Sequence, residues 1–183
     1  MDFSQLLQAR KSVRSYQSRP VEEWKLDLLI EAVRFAPSAS NSQPWKLIII
    51  NDPEIRDHVA RATYSRAVSF NRFARQAPVL AVLTIERAGI ITQIGARLKK
   101  REFHLIDIGI AASQFCLQAT DLGLGTCMLG WFDEDTIKKL LDIPKNRRIG
   151  LVITLGYEQQ GEKQRSKVRK SRRRMSGLNR YTS

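Results

Sequence analysis

The chain has 183 residues, 43% of them apolar and 27% charged, with a formal net charge of +13. That length makes one domain with enough interior to fold without disulfide staples, and the composition excludes a disordered or fibrous chain. Two cysteines, no apolar run near the ~20 residues that cross a bilayer, and an N-terminus without a basic-then-apolar leader predict a cytoplasmic protein with no membrane segment.

The chain opens with a short predicted helix from Phe3 to Arg10. It runs into Arg10-Lys11-Ser12-Val13-Arg14-Ser15-Tyr16, where cations and hydroxyls alternate. Such a cluster suits a phosphate or carboxylate, and equally suits a solvated helix end. A helix is predicted from Pro20 to Ala36, with Glu22 and Glu23 in its first turn. Trp24, Leu28, Leu29, Ala32, Val33 and Phe35 form its apolar face. Pro37-Ser38-Ala39-Ser40-Asn41-Ser42-Gln43-Pro44-Trp45 follows, stiffened by two prolines and rich in hydroxyls and carboxamides. It reads as a polar edge for a planar ligand, or as a plain helix-to-strand connector.

Lys46 to Ile50 is an apolar run and predicts a strand covered on both faces. Asn51 or Asp52 caps the next helix, with Pro53 at its first position. Residues 60–76 predict broken helix, and Pro78 to Ile85 a second buried strand. Residues 89–101 are polar and basic and carry no assignment. Phe103 to Leu122 predicts the longest helix, apolar around most of its circumference, with Asp107, Gln114, Gln118 and Asp121 in one polar stripe. His104 and Asp107 read as a structural pair on it. A second buried side on that helix suggests another subunit. Gly123-Leu124-Gly125 ends the helix and opens a strand whose glycines allow a backbone to approach a ligand. Asp133 caps a short helix to Leu141, and Ile149 to Leu155 is a further strand. Eight cations crowd residues 163–174: Lys163, Arg165, Lys167, Arg169, Lys170, Arg172, Arg173 and Arg174. They attract polyanions, or simply form a solvated tail. The chain shows no repeat and no second domain.

No Cys/His cluster stands at metal-ligand spacing, and no phosphate-loop or nucleophile-elbow motif is present. Cys127 reads as a structural thiol, since no activating base accompanies it. With no nucleophile or proton donor in view, any hard chemistry belongs to a cofactor.

Four ordered segments resemble the flavin-dependent nitroreductase family. They are Arg10–Tyr16, Pro37–Trp45, Asp107–Ala111 through Gly123–Phe132, and Leu155-Gly156-Tyr157 with Lys167-Val168-Arg169-Lys170-Ser171. The resemblance implies an α+β nitroreductase fold over residues 1–183: a central mixed β-sheet flanked by helices, homodimeric, with the C-terminal extension on the partner. It implies FMN, with NADH or NADPH as electron donor. By similarity, Arg10, Lys11, Ser12 and Arg14 hold the ribityl phosphate and ring edge, and Lys167, Arg169 and Lys170 are phosphate cations of the tail. Pro37, Ser38, Ala39, Ser40, Asn41 and Gln43 contact the flavin of the other subunit. Met128, Leu129 and Gly130 line the ring. No side chain is assigned as catalytic, since flavin N5 carries the chemistry. The implied reaction is ping-pong two-electron reduction of a nitroaromatic, a quinone or a related small acceptor. The alternatives are flavin binding without turnover, and polyanion or nucleic-acid binding through the basic tail. Arg172-Arg173-Arg174 departs from the family pattern and puts a helical end of the tail in doubt.

Overall fold

Two apolar runs set the middle of the fold. In the computed structural model, which describes residues 1–86, 102–161 and 167–181, they form β2 (Val79–Ile85) and β4 (Arg148–Gly156), paired antiparallel at the centre of one sheet. β1 (Trp45–Ile50) joins the outer edge of β2, and β3 (Gly125–Leu129) the outer edge of β4. Every pairing between these strands is antiparallel. Among the described residues, the parallel component of the expected mixed sheet is confined to a bridge between Ser12 and Thr126.

Alternation along β2 gives the sheet two apolar faces. Val79, Ala81 and Leu83 meet α2 (Glu23–Arg34) and α4 (Phe103–Asp121). Leu80 and Val82 meet a second core with α3 (Pro53–Arg61) and α5 (Glu134–Leu140). The sheet therefore lies between helices, as expected. α1 (Phe3–Ala9) packs on α4. The caps follow from the sequence: Asp52 accepts from the amides of Glu54 and Ile55 ahead of α3, and Asp133 from Thr136 ahead of α5.

Several expectations change. On α2 the buried side chains are Leu26, Leu29 and Val33, whereas Trp24, Leu28 and Phe35 stay exposed. The core thus takes Leu29 and Val33 of the expected face and adds Leu26. β1 is an edge strand, and only Ile50 is fully buried. On α4, Leu105 and Ile106 are exposed while Asp107, expected in the solvent stripe, is buried. Asp107 pairs with the amide of Ala39, and no hydrogen bond to His104 forms among the described residues. The tail does carry a helix, α6 (Arg172–Met175), capped by Ser171 Oγ accepting from the Arg174 amide. Residues 89–101, and Lys163 and Arg165 of the basic run, lie outside the described residues. Among those described, no helix is long and apolar enough to cross a membrane.

The start of α2 is tied to the ends of α4 and β4. Glu22 accepts from Tyr157 Oη at 2.7 Å and from Arg19 Nη2 at 2.8 Å. Lys25 Nζ donates to Tyr157 Oη at 2.8 Å and to the Leu122 carbonyl at 3.0 Å. The Tyr157 hydroxyl, above all, holds the Glu22 carboxyl down at about 2, helped by the backbone amide and Arg19. A carboxyl with a folded pKa below its unfolded value stabilises fully above the ordinary range and loses that contribution as the pH falls. Glu22 should therefore withdraw stability between about 4.5 and 2. Glu22→Gln is expected to flatten that part of a denaturant-midpoint curve against pH. An unchanged slope would show that the tyrosine contact has no such effect.

Candidate functional site

The basic segment after α1 is held as an extra partial strand on the free edge of β3. Val13 N–H donates to the Thr126 carbonyl at 2.9 Å. Strand alternation turns Val13 into the core and leaves Ser12 and Arg14 facing outward; Tyr16, three residues on, departs from that alternation and is also buried. Tyr16 Oη donates to the Val13 carbonyl at 2.8 Å, so its 2.6 Å contact with Thr154 Oγ1 is one it accepts. Burial drives the Tyr16 phenol far above its usual range, which makes it a structural pin. Gly125 makes this seat possible. A Cβ there would lie 2.6 Å from Val13 Cγ2 and 2.8 Å from Val13 Cβ. The close approach expected of this glycine is therefore made by the chain itself.

The two ends of the chain meet at this segment. Lys167 Nζ donates to the carbonyls of Leu7 and Gln8, at the C-terminal end of α1 where a cation is favoured. Desolvation where it lies against α1, followed by the charges of Arg10, Arg169 and Lys11, pushes its pKa down. Like charges from both ends of the chain thus act on Lys167. Only Lys11 has a carboxylate among the described residues, Glu158 at 2.7 Å. Arg10, Arg14, Lys167 and Arg169 form no ion pair there. Arg14 donates to the Ser12 carbonyl at 3.4 Å and lies over Phe73, 6.0 Å from the ring centroid. Lys170 is exposed and is not among the charges acting on Lys167; the same holds for Arg172, Arg173 and Arg174.

Downstream on β3, Met128 is exposed, Leu129 is buried and Gly130 is exposed. Leu129 can therefore offer a ligand only its backbone. Asn71, which the sequence reading passed over, holds the exit of this strand. Its buried amide donates to the Thr63 and Trp131 carbonyls at 3.1 and 3.2 Å. An amide flanked by Phe70 and Phe73 was the available signal. Cys127 and Cys116 are free and buried, and burial pushes both thiols up, so neither is poised as a nucleophile.

The loop from Pro37 to Gln43 is held by a dense set of hydrogen bonds. Ala39–Asn41 form a 3-10 turn in which Ser40 and Asn41 adopt φ of 52° and 51°, and Gln43 follows at 44°. Three left-handed residues in four, none of them glycine, need outside support. Gln43 N–H donates to Ser38 Oγ at 2.8 Å, and Gln43 Nε2 to the Asn41 carbonyl and Oδ1 at 3.2 Å each. Ala39 N–H donates to Asp107 Oδ1 at 3.1 Å. Ser40, Asn41 and Gln43 are exposed.

Within one chain the loop and the cation cluster stand apart. The loop is anchored at Asp107, whereas Lys11 shares a small cleft with Thr120 and Gly123 at the other end of α4. The intervening 13 residues of helix rise about 20 Å.

Comparison with known proteins adds to this geometry. The nitroreductase family model matches residues 7–157. The FMN reductase [NAD(P)H] of Bacillus subtilis is 31% identical over 147 residues, covering 74% of this chain and 57% of that protein. The NADPH-dependent oxidoreductase of Staphylococcus saprophyticus is 26% identical over 188 residues, covering 97% of this chain and 73% of that one. The crystal structure of a nitroreductase family protein from Clostridium difficile 630 superposes with a TM-score of 0.80 at 25% identity, over 99% of this chain and all of that one.

Proposed function

Because the chain belongs to the nitroreductase family, we propose that it is an NAD(P)H-dependent FMN oxidoreductase, reducing a nitroaromatic, a quinone or a related small acceptor by two electrons in ping-pong order. The observation that carries this reading is Lys167 of the tail seated on the Leu7 and Gln8 carbonyls, immediately before Arg10 and Lys11 in the chain. Cations held together without carboxylates suit a dianionic phosphate, whose charge-assisted bonds relieve their repulsion. The donor set fits FMN: Arg10, Ser12, Arg14, Lys167 and Arg169 take the phosphate end, and the Met128–Gly130 backbone lines the ring. Lys11 supports the segment through Glu158 and adds its charge.

The bound flavin would supply the redox chemistry, accepting hydride from the nicotinamide and passing two electrons to the acceptor. The chain's own residues bind and orient; no protein side chain is assigned a proton. Ser40, Asn41 and Gln43 present exposed donors and acceptors in a fixed geometry, suited to the polar edge of a planar ring. Their separation from the cation cluster favours a homodimer in which each loop completes the partner's pocket. Exposed Leu105 and Ile106 on α4, and tail residues Val168, Leu178 and Tyr181, give such a dimer apolar surface to cover.

The purified protein incubated with FMN is expected to retain the yellow flavin spectrum after desalting. Anaerobic NADH or NADPH should then bleach it. A colourless protein after incubation would refute flavin binding, and a yellow protein that neither donor bleaches would refute turnover.

A further inference from the structure

Asp107 is 3% exposed on a helix that is apolar around most of its circumference. It has no cation partner among the described residues. One oxygen accepts the Ala39 amide and the other, Oδ2, is buried without a hydrogen bond there. An apolar residue of similar size would fill the same space without the cost of desolvating a carboxylate. Stability alone therefore does not call for an acid at this position. What the carboxylate does touch is the first residue of the 3-10 turn, ahead of Ser40, Asn41 and Gln43 in their left-handed conformations. A turn's leading amides have no partner within it, and the residue before it ordinarily caps them. Here that residue is Ser38, and its hydroxyl is already committed to Gln43 N–H. The cap is supplied instead from α4, 68 residues away.

We infer that Asp107 is a positioning residue: through the Ala39 amide it clamps the Pro37–Gln43 loop to α4 in the conformation that meets the flavin. The role toward flavin rests on the function proposed above; the clamp itself does not. Asp107→Leu keeps the branched outline and the number of side-chain heavy atoms and removes the acceptor, whereas Asp107→Asn keeps an oxygen for Ala39. Three quantities separate positioning from bulk stability: hydrogen exchange at the Ala39 amide, the melting temperature, and the FMN dissociation constant from fluorescence titration. In Asp107→Leu, Ala39 exchange is expected to accelerate about tenfold or more and FMN binding to weaken about tenfold, with no fall in melting temperature. Asp107→Asn should stay within about threefold of wild type in both.

Ala39→Pro deletes the donor from the other side of the bond, at a turn position where proline is accommodated. It keeps the test open if the leucine variant fails to fold, and is expected to weaken FMN binding as much. FMN binding within threefold of wild type in Asp107→Leu or Ala39→Pro would overturn the inference. So would an asparagine variant as impaired as the leucine one. If the wild type binds no FMN while Ala39 protection still depends on residue 107, the flavin reading falls and the clamp stands.

Discussion

Arg10→Ala and Arg169→Ala are each expected to weaken FMN binding about 10- to 100-fold, from the ~1.5–3 kcal/mol of a charge-assisted hydrogen bond. The double variant should lose on the order of 10³-fold. The two residues come from opposite ends of the chain, yet both act on Lys167, whose pKa their charges help to push down. Neither has a carboxylate partner among the described residues, so removing either leaves no buried acid unpaired. The flavin-free fold should therefore not weaken, and removing one of several like charges favours it slightly. The signature is a large loss of affinity with an unchanged or raised melting temperature of the apoprotein, read by fluorescence titration and calorimetry. A parallel loss of stability would instead make these side chains structural, and full flavin occupancy in both variants would move the phosphate elsewhere. Binding should also weaken with salt, since the cluster is largely exposed.

How much of this was legible in the sequence depends on whether the deciding contact is local. β2 and β4 are apolar runs buried on both faces, and such runs announce themselves. The caps at Asp52 and Asp133 lie within three residues of the amides they satisfy, and both were readable. Helical spacing places Asp107 at an angle around α4 but does not say which neighbour faces that angle, and the neighbour is the Ala39 loop. The same limit applies to α2: helical spacing grouped Trp24, Leu28 and Phe35 with Leu29 and Val33, and only the position of the sheet decides that the core takes Leu29 and Val33 with Leu26. Lys11 meets Glu158 across most of the chain's length, which no window of sequence contains. The family was legible chiefly because its motifs occur in order. The physical reason for their spacing, a partial strand laid on β3, became visible only once Val13 was seen against Gly125.

Gly125→Ala should test that reason directly. The added methyl would stand 2.6–3.0 Å from three side-chain atoms of Val13, all closer than ordinary contact allows. Val13 cannot swing aside freely. It is β-branched, buried at 4%, and fixed on both sides by its own amide bond to Thr126 and its carbonyl bond from Tyr16. The strain must therefore move backbone, pushing residues 10–14 away from β3. Overpacking of this kind costs about 1–3 kcal/mol. The displaced residues include Ser12 and Arg14, so FMN affinity should fall with stability, unlike the arginine variants, where only affinity falls. Val13→Ala removes two of the three obstructing atoms and leaves Cβ at 2.8 Å. The pair should therefore be non-additive, with Gly125→Ala costing less in the Val13→Ala background than in the wild type. Chemical denaturation of the four proteins gives the coupling. Strict additivity would mean that the strain is relieved elsewhere, and that the partial strand proposed to bind phosphate does not depend on the missing side chain at position 125.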